Sequence, residues 1–249
     1  MPLRFLLDLP ADGPPPVGTT LQLPGERAHY LCKVLRARSG QSIECFDGRG
    51  YLLRAQVTRA DTRQAILQIT AIEGPLPRPE PAIHLGISLL KGQAMDRALQ
   101  LGTELGAASI TLIHAARSNV TLPAQRVDNK QLHWHKIIAG ACEQCGRAYL
   151  PELYGPQSVA EFISNAHAQE RQLMVLDQNG AGLPGHLPPA DHALLVGPEG
   201  GWDAAELALF EHHRCARYRL VETVMRAETV PAVALALIHH IWTSRIGQD

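Results

Sequence analysis

The sequence predicts an α/β protein with two domains, a small N-terminal β-barrel and a larger domain with a mainly parallel sheet covered by helices. Three observations support this prediction. Residues 1–73 show β-type alternation, residues 74–81 contain four prolines, and strand and helix patterns alternate over residues 82–249. Proline at this density favours an extended, stiff linker, and alternating strands and helices are typical of a parallel sheet.

The first domain is expected to hold short strands and one helix, the helix lying over residues 25–36. Asp47-Gly48-Arg49-Gly50 lies between two of the strands and predicts a hairpin turn. The strands are expected at residues 20–23, 42–46, 51–58 and 64–72.

After the linker, the spacing of apolar residues switches between that of buried strands and that of helices. In chain order we expect a strand at 83–90, a helix at 94–105, a strand at 109–114, helices at 127–146 and 159–168, and a strand at 172–177.

Two strand-turn-helix units near the C-terminal end predict a ligand site. In the first, a strand at 193–196 leads into Gly197-Pro198-Glu199-Gly200-Gly201. Asp203, with Glu206 three residues later, then predicts a capped helix start. A glycine-rich turn before a helix directs free backbone N–H groups at one point, which suits an anionic or polar ligand.

The second unit repeats this layout. Residues 218–224 predict a strand, Met225-Arg226-Ala227-Glu228-Thr229 follows, and Thr229 is expected to cap a helix that ends near Arg245. Because the two turns are close in sequence, we expect them to form one pocket.

The last helix carries an apolar stripe that has two interpretations, packing against the protein's own sheet or a homodimer interface. The stripe consists of Val230, Val233, Ala234, Leu237, Ile238, Ile241 and Trp242.

Composition limits the class of protein. Five cysteines in 249 residues do not suggest a disulfide framework, and no apolar run is long enough for a membrane helix. We therefore expect a cytoplasmic protein. The net charge of −1 argues against indiscriminate nucleic-acid binding, but residues 1–72 hold nine Lys/Arg against six Asp/Glu. This basic region predicts either a polyanion contact or a solvated surface.

Two short motifs suggest other chemistry that their surroundings disfavour. Gly180-Ala-Gly182-Leu-Pro-Gly185 matches a dinucleotide fingerprint, but Pro184 prevents the helix start that would bind pyrophosphate. Cys142-Glu-Gln-Cys145 lies late in a helix and supplies only two of the four ligands of a structural zinc site. We expect a loop, structural cysteines and no metal.

Further short motifs run along nearly the full chain, and their order and spacing are specific together. They are Lys33-Val-Leu-Arg36, Phe46-Asp-Gly48, Lys91-Gly-x-x-Met95, Glu104-Leu-Gly106, Trp134-x-Lys136, Ala141-Cys-Glu-Gln-Cys-Gly-Arg147, Gly197-Pro-Glu-Gly-Gly201 and Arg226-x-Glu228-Thr229. At these residues the chain resembles the SPOUT methyltransferases, and within them the bacterial enzymes that methylate N3 of a uridine in 16S ribosomal RNA.

The resemblance implies an N-terminal PUA-like β-barrel that binds RNA and a C-terminal α/β domain with a trefoil knot, a rare exception among folds. It also implies S-adenosylmethionine as cofactor, 16S ribosomal RNA of the small ribosomal subunit as partner, and a homodimer with the active site at the subunit interface. The cofactor-binding residues that it implies are Leu176, Val196, Gly197, Glu199, Gly201, Leu220, Val224, Met225 and Thr229.

The chain departs from the family at one point. Where the family reads Leu-Gly-Pro-Arg, this chain has Leu220-Val221-Glu222-Thr223. Glycine allows positive φ or close backbone approach, which a β-branched valine does not. In addition, Thr223 replaces an arginine, and Glu222 adds a carboxylate. We expect cofactor binding through backbone groups to tolerate the change, and activity or substrate choice to be altered.

For catalysis, we expect Arg226 to stabilise the negative charge that develops on uracil O4 or O2. Arg147 of the partner subunit is the second candidate. Glu228 is a candidate for assisting removal of the N3 proton, although an ordinary carboxylate is too acidic for this without burial. The structural alternative is an ion pair between Arg226 and Glu228.

Contacts with RNA phosphates are expected from basic residues, whose alternative role is ordinary surface charge. They are Arg4, Lys33, Arg36, Arg49, Lys91 and Arg117. Two other functions stay open at this stage, a 2′-O-ribose methyltransferase of the same superfamily and a non-catalytic RNA-binding or ribosome-assembly factor.

Overall fold

A computed structural model of the protein describes residues 2–120 and 124–244, with the backbone alone for residues 124–128. The chain divides into two compact units. The first comprises residues 1–78 and 142–150, and the second comprises residues 79–141 and 151–249.

The first unit contains a five-stranded sheet with the order β1-β3-β4-β5-β2. β1 pairs with β3 in parallel, and the other pairs are antiparallel. Leu53, Ala55 and Val57 of β4 point into the core, because alternate side chains of a strand face the same side. The strands are β1 (Arg4–Leu6), β2 (Thr20–Pro24), β3 (Ser42–Phe46), β4 (Leu52–Arg59) and β5 (Gln64–Glu73).

The predicted hairpin between β3 and β4 is confirmed. The Asp47 carboxylate accepts the backbone N–H groups of Arg49 and Tyr51, at 2.8 and 3.0 Å. Gly48 has a φ of 74°, a left-handed conformation that glycine adopts without steric cost. The turn is therefore stabilised by one side chain and one glycine.

The predicted helix over residues 25–36 is shorter and less regular than expected. It consists of α1 (Gly25–His29) and a π-helical segment, Tyr30–Val34. The chain then turns at Arg36, whose φ is 58°, and the N–H of Ala37 donates to the carbonyl of Leu31 at 3.1 Å. The helix therefore ends because the backbone becomes left-handed, as at many helix C-termini.

Residues 142–150 belong to the first unit, although the predicted boundaries placed them in the second domain. Glu143 carries the connection. Its carboxylate accepts the backbone N–H of Leu6 at 3.0 Å and the hydroxyl of Tyr30 at 2.6 Å. The predicted boundaries at 73 and 82 stay a prediction.

The second unit contains a six-stranded sheet with the order β11-β9-β10-β6-β7-β8, in which every pair is parallel. Its elements are β6 (Ile83–Ser88), α2 (Gln93–Glu104), β7 (Ser109–His114), α3 (Ala124–Cys145), β8 (Glu152–Ser158), α4 (Val159–Ala168), β9 (Gln172–Gly182), β10 (His192–Val196), α5 (Ala204–His212), β11 (Ala216–Arg219) and α6 (Val230–Thr243). The last residues of α3, from Cys142, belong to the first unit.

Helices cover both faces of this sheet. Leu85 of β6 packs in one apolar cluster with residues of α2 and α6, and Leu195 of β10 packs in another with residues of α4 and α5. All five residues of β10 are buried, as is typical of a central strand of a parallel sheet. The predicted α/β class with a parallel sheet is confirmed, and the trefoil knot stays a prediction.

Four element predictions in this unit need correction. The edge strand β8 was not predicted, because it contains Gly155 and Pro156 and lacks an apolar run. β9 extends to Gly182 rather than ending at residue 177, since its last residues pair with β11. The expected loop at 180–185 is therefore partly strand, although no helix begins there. The strand expected at 218–224 spans Ala216–Arg219 instead.

The last correction concerns α6. Thr229 has helical dihedral angles and makes no capping hydrogen bond through its side chain, and Pro231 lies in the first turn. Proline suits that position because its missing N–H would have no partner there. The helix ends at Thr243, and Arg245 lies outside the described residues. No helix in the described part of the chain is both long and apolar enough to cross a membrane.

Candidate active site at the carboxyl ends of the parallel strands

A cavity of about 290 Å³ lies at the carboxyl ends of β10 and β11, beside the middle of β9. This is the position at which parallel α/β sheets bind ligands. Three segments supply most of the lining, within residues 176–179, 196–202 and 218–230, and Arg117 and Leu207 add to it. The structure therefore brings the two predicted turns to one cavity, together with the segment of β9 that begins at Leu176, which the resemblance also implied.

Most of the expected cofactor-binding residues lie around this cavity. Thr229 does not line it, and its N–H donates to the carbonyl of Arg226 at 2.9 Å. The eight residues that do line it are Leu176, Val196, Gly197, Glu199, Gly201, Leu220, Val224 and Met225.

The capping box predicted at the start of α5 is confirmed and also anchors a neighbouring loop. The Asp203 carboxylate accepts the N–H of Glu206 at 2.7 Å, and the Glu206 carboxylate accepts the N–H of Asp203 at 2.9 Å. The other Glu206 oxygen accepts the N–H of Ala116 at 2.8 Å. One buried carboxylate thus holds the loop after β7 beside the glycine-rich turn.

Trp202 joins two walls of the cavity, and the sequence reasoning did not single it out. Its indole N–H donates to the carbonyl of Leu176 at 3.0 Å, and its ring packs edge-on against Phe210. A Cβ on Gly197 would lie 3.0 Å from Cε2 of this indole. A side chain at 197 would therefore crowd the indole, and a tryptophan directly after Gly200-Gly201 was the available signal.

Polar groups surround the mouth of the cavity. Asp177 is nearly buried, and its carboxylate lies 3.4 Å from Nε of Arg217. The side-chain amide of Gln178 donates to the carbonyl of Glu222 at 2.9 Å, and Arg117 donates to the carbonyl of Gly200 at 3.1 Å. Asp177 and Gln178 lie in the segment 176–179 that the resemblance implied for the cofactor, although no local motif marked either residue by itself.

The structure places Arg226 and Glu228 beside the cavity rather than in its wall, between and after the lining residues Met225 and Ala227. The Arg226 side chain is 87 % exposed and the Glu228 side chain 15 %, with 3.9 Å between their nearest charged atoms. The ion pair given as the structural alternative is therefore present but long, and most of the Arg226 side chain faces solvent.

The segment that departs from the family is held by polar contacts. Glu222 is exposed, and its carboxylate accepts a hydrogen bond from Arg219 at 3.0 Å. Val221 is not among the described non-glycine residues with positive φ, which are Arg36, Glu170 and Arg214. The valine therefore adopts an ordinary backbone conformation.

The basic residues of the first unit differ in how freely they are exposed. Lys33 and Arg36 are exposed at the end of the π-helical segment. Arg49 is partly exposed and contacts the carboxylate of Asp47 at 3.1 Å. Arg4 is only 10 % exposed and lies 2.6 Å from the carboxylate of Glu44, so it stabilises the unit. Contact of these residues with RNA stays a prediction.

The remaining candidates are divided between the units. Lys91 and Arg117 are exposed in the second unit. Arg147 follows α3 in the first unit, where its carbonyl accepts a hydrogen bond from Arg4 at 3.0 Å and burial lowers the pKa of its guanidinium.

Burial raises the pKa of Cys142 to about 12, so this thiol is protonated at neutral pH. Among the described residues, no cluster of His, Cys, Asp and Glu forms a metal site.

Comparison with known families assigns the chain. Residues 78–239 match the RNA methyltransferase domain, and residues 23–70 match the RNA methyltransferase PUA domain. The chain belongs to the RNA methyltransferase family. The predicted PUA-like domain and the resemblance read from the motifs are thereby confirmed.

Relatives matched over most of their length support the assignment. The ribosomal RNA small subunit methyltransferase E of Synechocystis is 31% identical over 92% of this chain and 75% of its own length. The methyltransferase E of Neisseria gonorrhoeae, solved bound to S-adenosyl methionine, is 28% identical, with a TM-score of 0.85 over 97% of this chain and 98% of its own. A Legionella pneumophila protein solved with the bound cofactor SAM is 30% identical, with a TM-score of 0.85 over 96% and 97%.

Proposed function

We propose that this protein methylates N3 of a uridine in 16S ribosomal RNA of the small ribosomal subunit, using S-adenosylmethionine as the methyl donor. The observation that carries the proposal is the convergence of eight expected cofactor-binding residues on one cavity. The chain is also 31% identical to a ribosomal RNA small subunit methyltransferase E. A similar structure, with a TM-score of 0.85, contains S-adenosyl methionine.

The chemistry of the cavity fits this donor. Leu176, Val196 and Met225 offer apolar surface to an adenine ring, and Asp177 and Glu199 offer oxygen acceptors for hydroxyl and ammonium groups. The residue Gly201, with a φ of 68°, lets the backbone turn tightly beside the ligand. The residues present therefore suit a molecule with an aromatic base, a sugar and a charged amino-acid end.

S-adenosylmethionine supplies an activated methyl group when it is bound. The chain must hold the uracil in line with that group, since alignment contributes much of the rate of a displacement. N3 lies on the pairing edge of uracil, so the base must be unpaired to enter the site. Arg226, exposed beside the cavity, is placed to stabilise the negative charge that develops on the ring as the N3 proton leaves.

Glu228 has a narrower role in this proposal. Its side chain is far less exposed than that of Arg226, from which it lies 3.9 Å away. A carboxylate at that distance orients the guanidinium through a weak ion pair. We propose that Glu228 positions Arg226, whereas assistance in removing the N3 proton is the less favoured role.

We also propose that the protein acts as a homodimer in the cytoplasm, where ribosomal RNA is modified. A groove of about 310 Å³ in the second unit supports this, because Leu183, Val221, Leu237 and Ile241 give it an apolar lining. Sedimentation of the wild type and of Leu237→Glu tests the dimer. A wild type that sediments as a monomer at micromolar concentration would contradict this part of the proposal.

Mass mapping of nucleosides tests the reaction. Small-subunit RNA and assembled small subunits lacking the modification are each incubated with the protein and S-adenosylmethionine, then digested to nucleosides. We expect N3-methyluridine. A 2′-O-methylated nucleoside would instead favour the ribose methyltransferase, and RNA binding without methylation or donor binding would favour the assembly factor.

A further inference from the structure

A second cavity lies at the opposite end of the parallel sheet and has no part in the proposed reaction. Its volume is about 250 Å³, and side chains of β7, β8, α4 and the turn after α4 line it. Strand β10 shows the relation between the two sites. Ala193, near its amino end, lines this cavity, whereas Val196, at its carboxyl end, lines the candidate active site.

Two hydrogen-bonded pairs stabilise the polar wall of this cavity. The Ser109 hydroxyl lies 2.8 Å from Nδ1 of His84. The side-chain amide of Asn165 donates to the side-chain oxygen of Gln157 at 3.2 Å. The wall is therefore ordered by its own contacts.

Three other polar groups of the cavity have no such contacts. Thr111 is 7 % exposed, yet within the described part of the chain its hydroxyl makes no hydrogen bond. The same holds for the side-chain amide of Gln169 and the guanidinium of Arg171. The Thr111 hydroxyl is not among the fully buried atoms without a partner in the described residues, so it is open to the cavity and available to hydrogen-bond to an occupant.

The charge of the lining residues indicates which kind of occupant the cavity favours. Arg171 is the one charged side chain among the described lining residues. His84 adds no charge at neutral pH, because burial and the nearby Arg171 lower its pKa to about 4. Asp191 is close enough to interact with Arg171, but it does not line the cavity, and its carboxylate accepts the N–H of Ala82 at 2.8 Å.

We propose that this cavity binds a phosphate group, with Arg171 providing the charge and Thr111 and Gln169 providing hydrogen bonds. A guanidinium beside hydroxyl and amide donors is the combination that recognises phosphate oxygens in proteins. The group comes either from a free phosphate or small phosphate ester, or from the backbone of the RNA that the protein modifies.

Calorimetric titration with inorganic phosphate tests the site in the full-length protein. We expect saturable binding to the wild type and at least about tenfold weaker binding to Arg171→Gln, because a charge-assisted hydrogen bond is lost. Thr111→Val keeps the shape of the buried side chain and removes the hydroxyl, and we expect it to weaken binding several-fold. Arg97→Gln, at an exposed position of α2, is the matched control and should bind as the wild type does.

Unfolding midpoints in urea show whether each variant is folded. If Thr111→Val proves unstable, Gln169→Leu serves in its place, because it removes another hydrogen-bond donor of the cavity at an exposed position. Absence of saturable phosphate binding to the wild type, or equal affinity of wild type and Arg171→Gln, would overturn the proposal. If the site binds phosphate, a short RNA is then added to the wild type. Displacement of phosphate by the RNA identifies the RNA backbone as the source of the bound phosphate group, whereas unchanged phosphate binding identifies a free phosphate or small phosphate ester.

Discussion

Replacement of Trp202 by phenylalanine tests whether one side chain holds two walls of the candidate active site together. The change removes the hydrogen bond of 3.0 Å from the indole N–H to the carbonyl of Leu176. A buried carbonyl that loses its partner costs about 1–3 kcal/mol, and the smaller ring leaves a void worth about 1 kcal/mol. Because phenylalanine retains aromatic contact with Phe210, we expect the free energy of unfolding to fall by about 2–4 kcal/mol.

The same change should weaken S-adenosylmethionine binding at least about tenfold, since both Leu176 and Gly197 lose their common support. Urea unfolding gives the stability and calorimetry gives the affinity. Trp242→Phe is the matched control, because its indole donates to the carbonyl of Pro188 at 3.3 Å in an exposed setting, and we expect a loss below about 1 kcal/mol. Equal stabilities and affinities of Trp202→Phe and the wild type would refute the reasoning.

Three further predictions concern charge. Arg226→Ala should abolish methyl transfer and leave donor affinity nearly unchanged, because its guanidinium lies outside the cavity wall; unchanged turnover would remove it from the mechanism. Charge reversal of Lys33 and Arg36 should weaken RNA binding and reduce its dependence on salt. Filter binding over a range of salt concentrations measures both. A slope of log affinity against log salt concentration equal to that of the wild type would contradict this prediction. His84 has a pKa of about 4 in the folded state, against an ordinary value near 6.5. As the pH falls from 6.5 to about 4, the unfolded state therefore binds a proton that the folded state does not, and the free energy of unfolding should decrease. His84→Gln should flatten that dependence in urea unfolding, by at most about 1.4 kcal/mol per pH unit, and an equally steep dependence would contradict the assignment.

The elements with strong local signals were predicted well. The strand at residues 109–114 and the helix at residues 159–168 have the predicted bounds, because each combines clear apolar periodicity with flanking breakers or caps. Strand β8 escaped prediction because pairing with β7, rather than its own composition, makes it a strand. The same reason explains β9, whose last residues pair with β11 despite their glycines.

The candidate active site also combines features that a local sequence pattern predicts with features that it does not. Its first backbone turn could be located because a glycine-rich segment between an apolar strand and a capped helix is a local pattern, typical of turns that bind ligands. The contacts of Trp202 and Gln178 could not be predicted, since their partners Leu176 and Glu222 are 26 and 44 residues away along the chain. Contacts at such separations depend on the strand order, which local pattern does not specify.

The segment in which this chain departs from its family illustrates how a lost glycine can be replaced. We expected cofactor binding through backbone groups to tolerate valine at this point, and Val221 has no positive φ within the described structure. Gln178 holds the carbonyls of Val221 and Glu222 from the neighbouring strand, at 3.4 and 2.9 Å, and Arg219 holds the Glu222 carboxylate. These contacts hold the segment beside the candidate active site through its own backbone and an exposed ion pair. We therefore expect the departure to act mainly through charge, since Glu222 pairs with Arg219 and adds an exposed carboxylate, which would repel an approaching RNA phosphate.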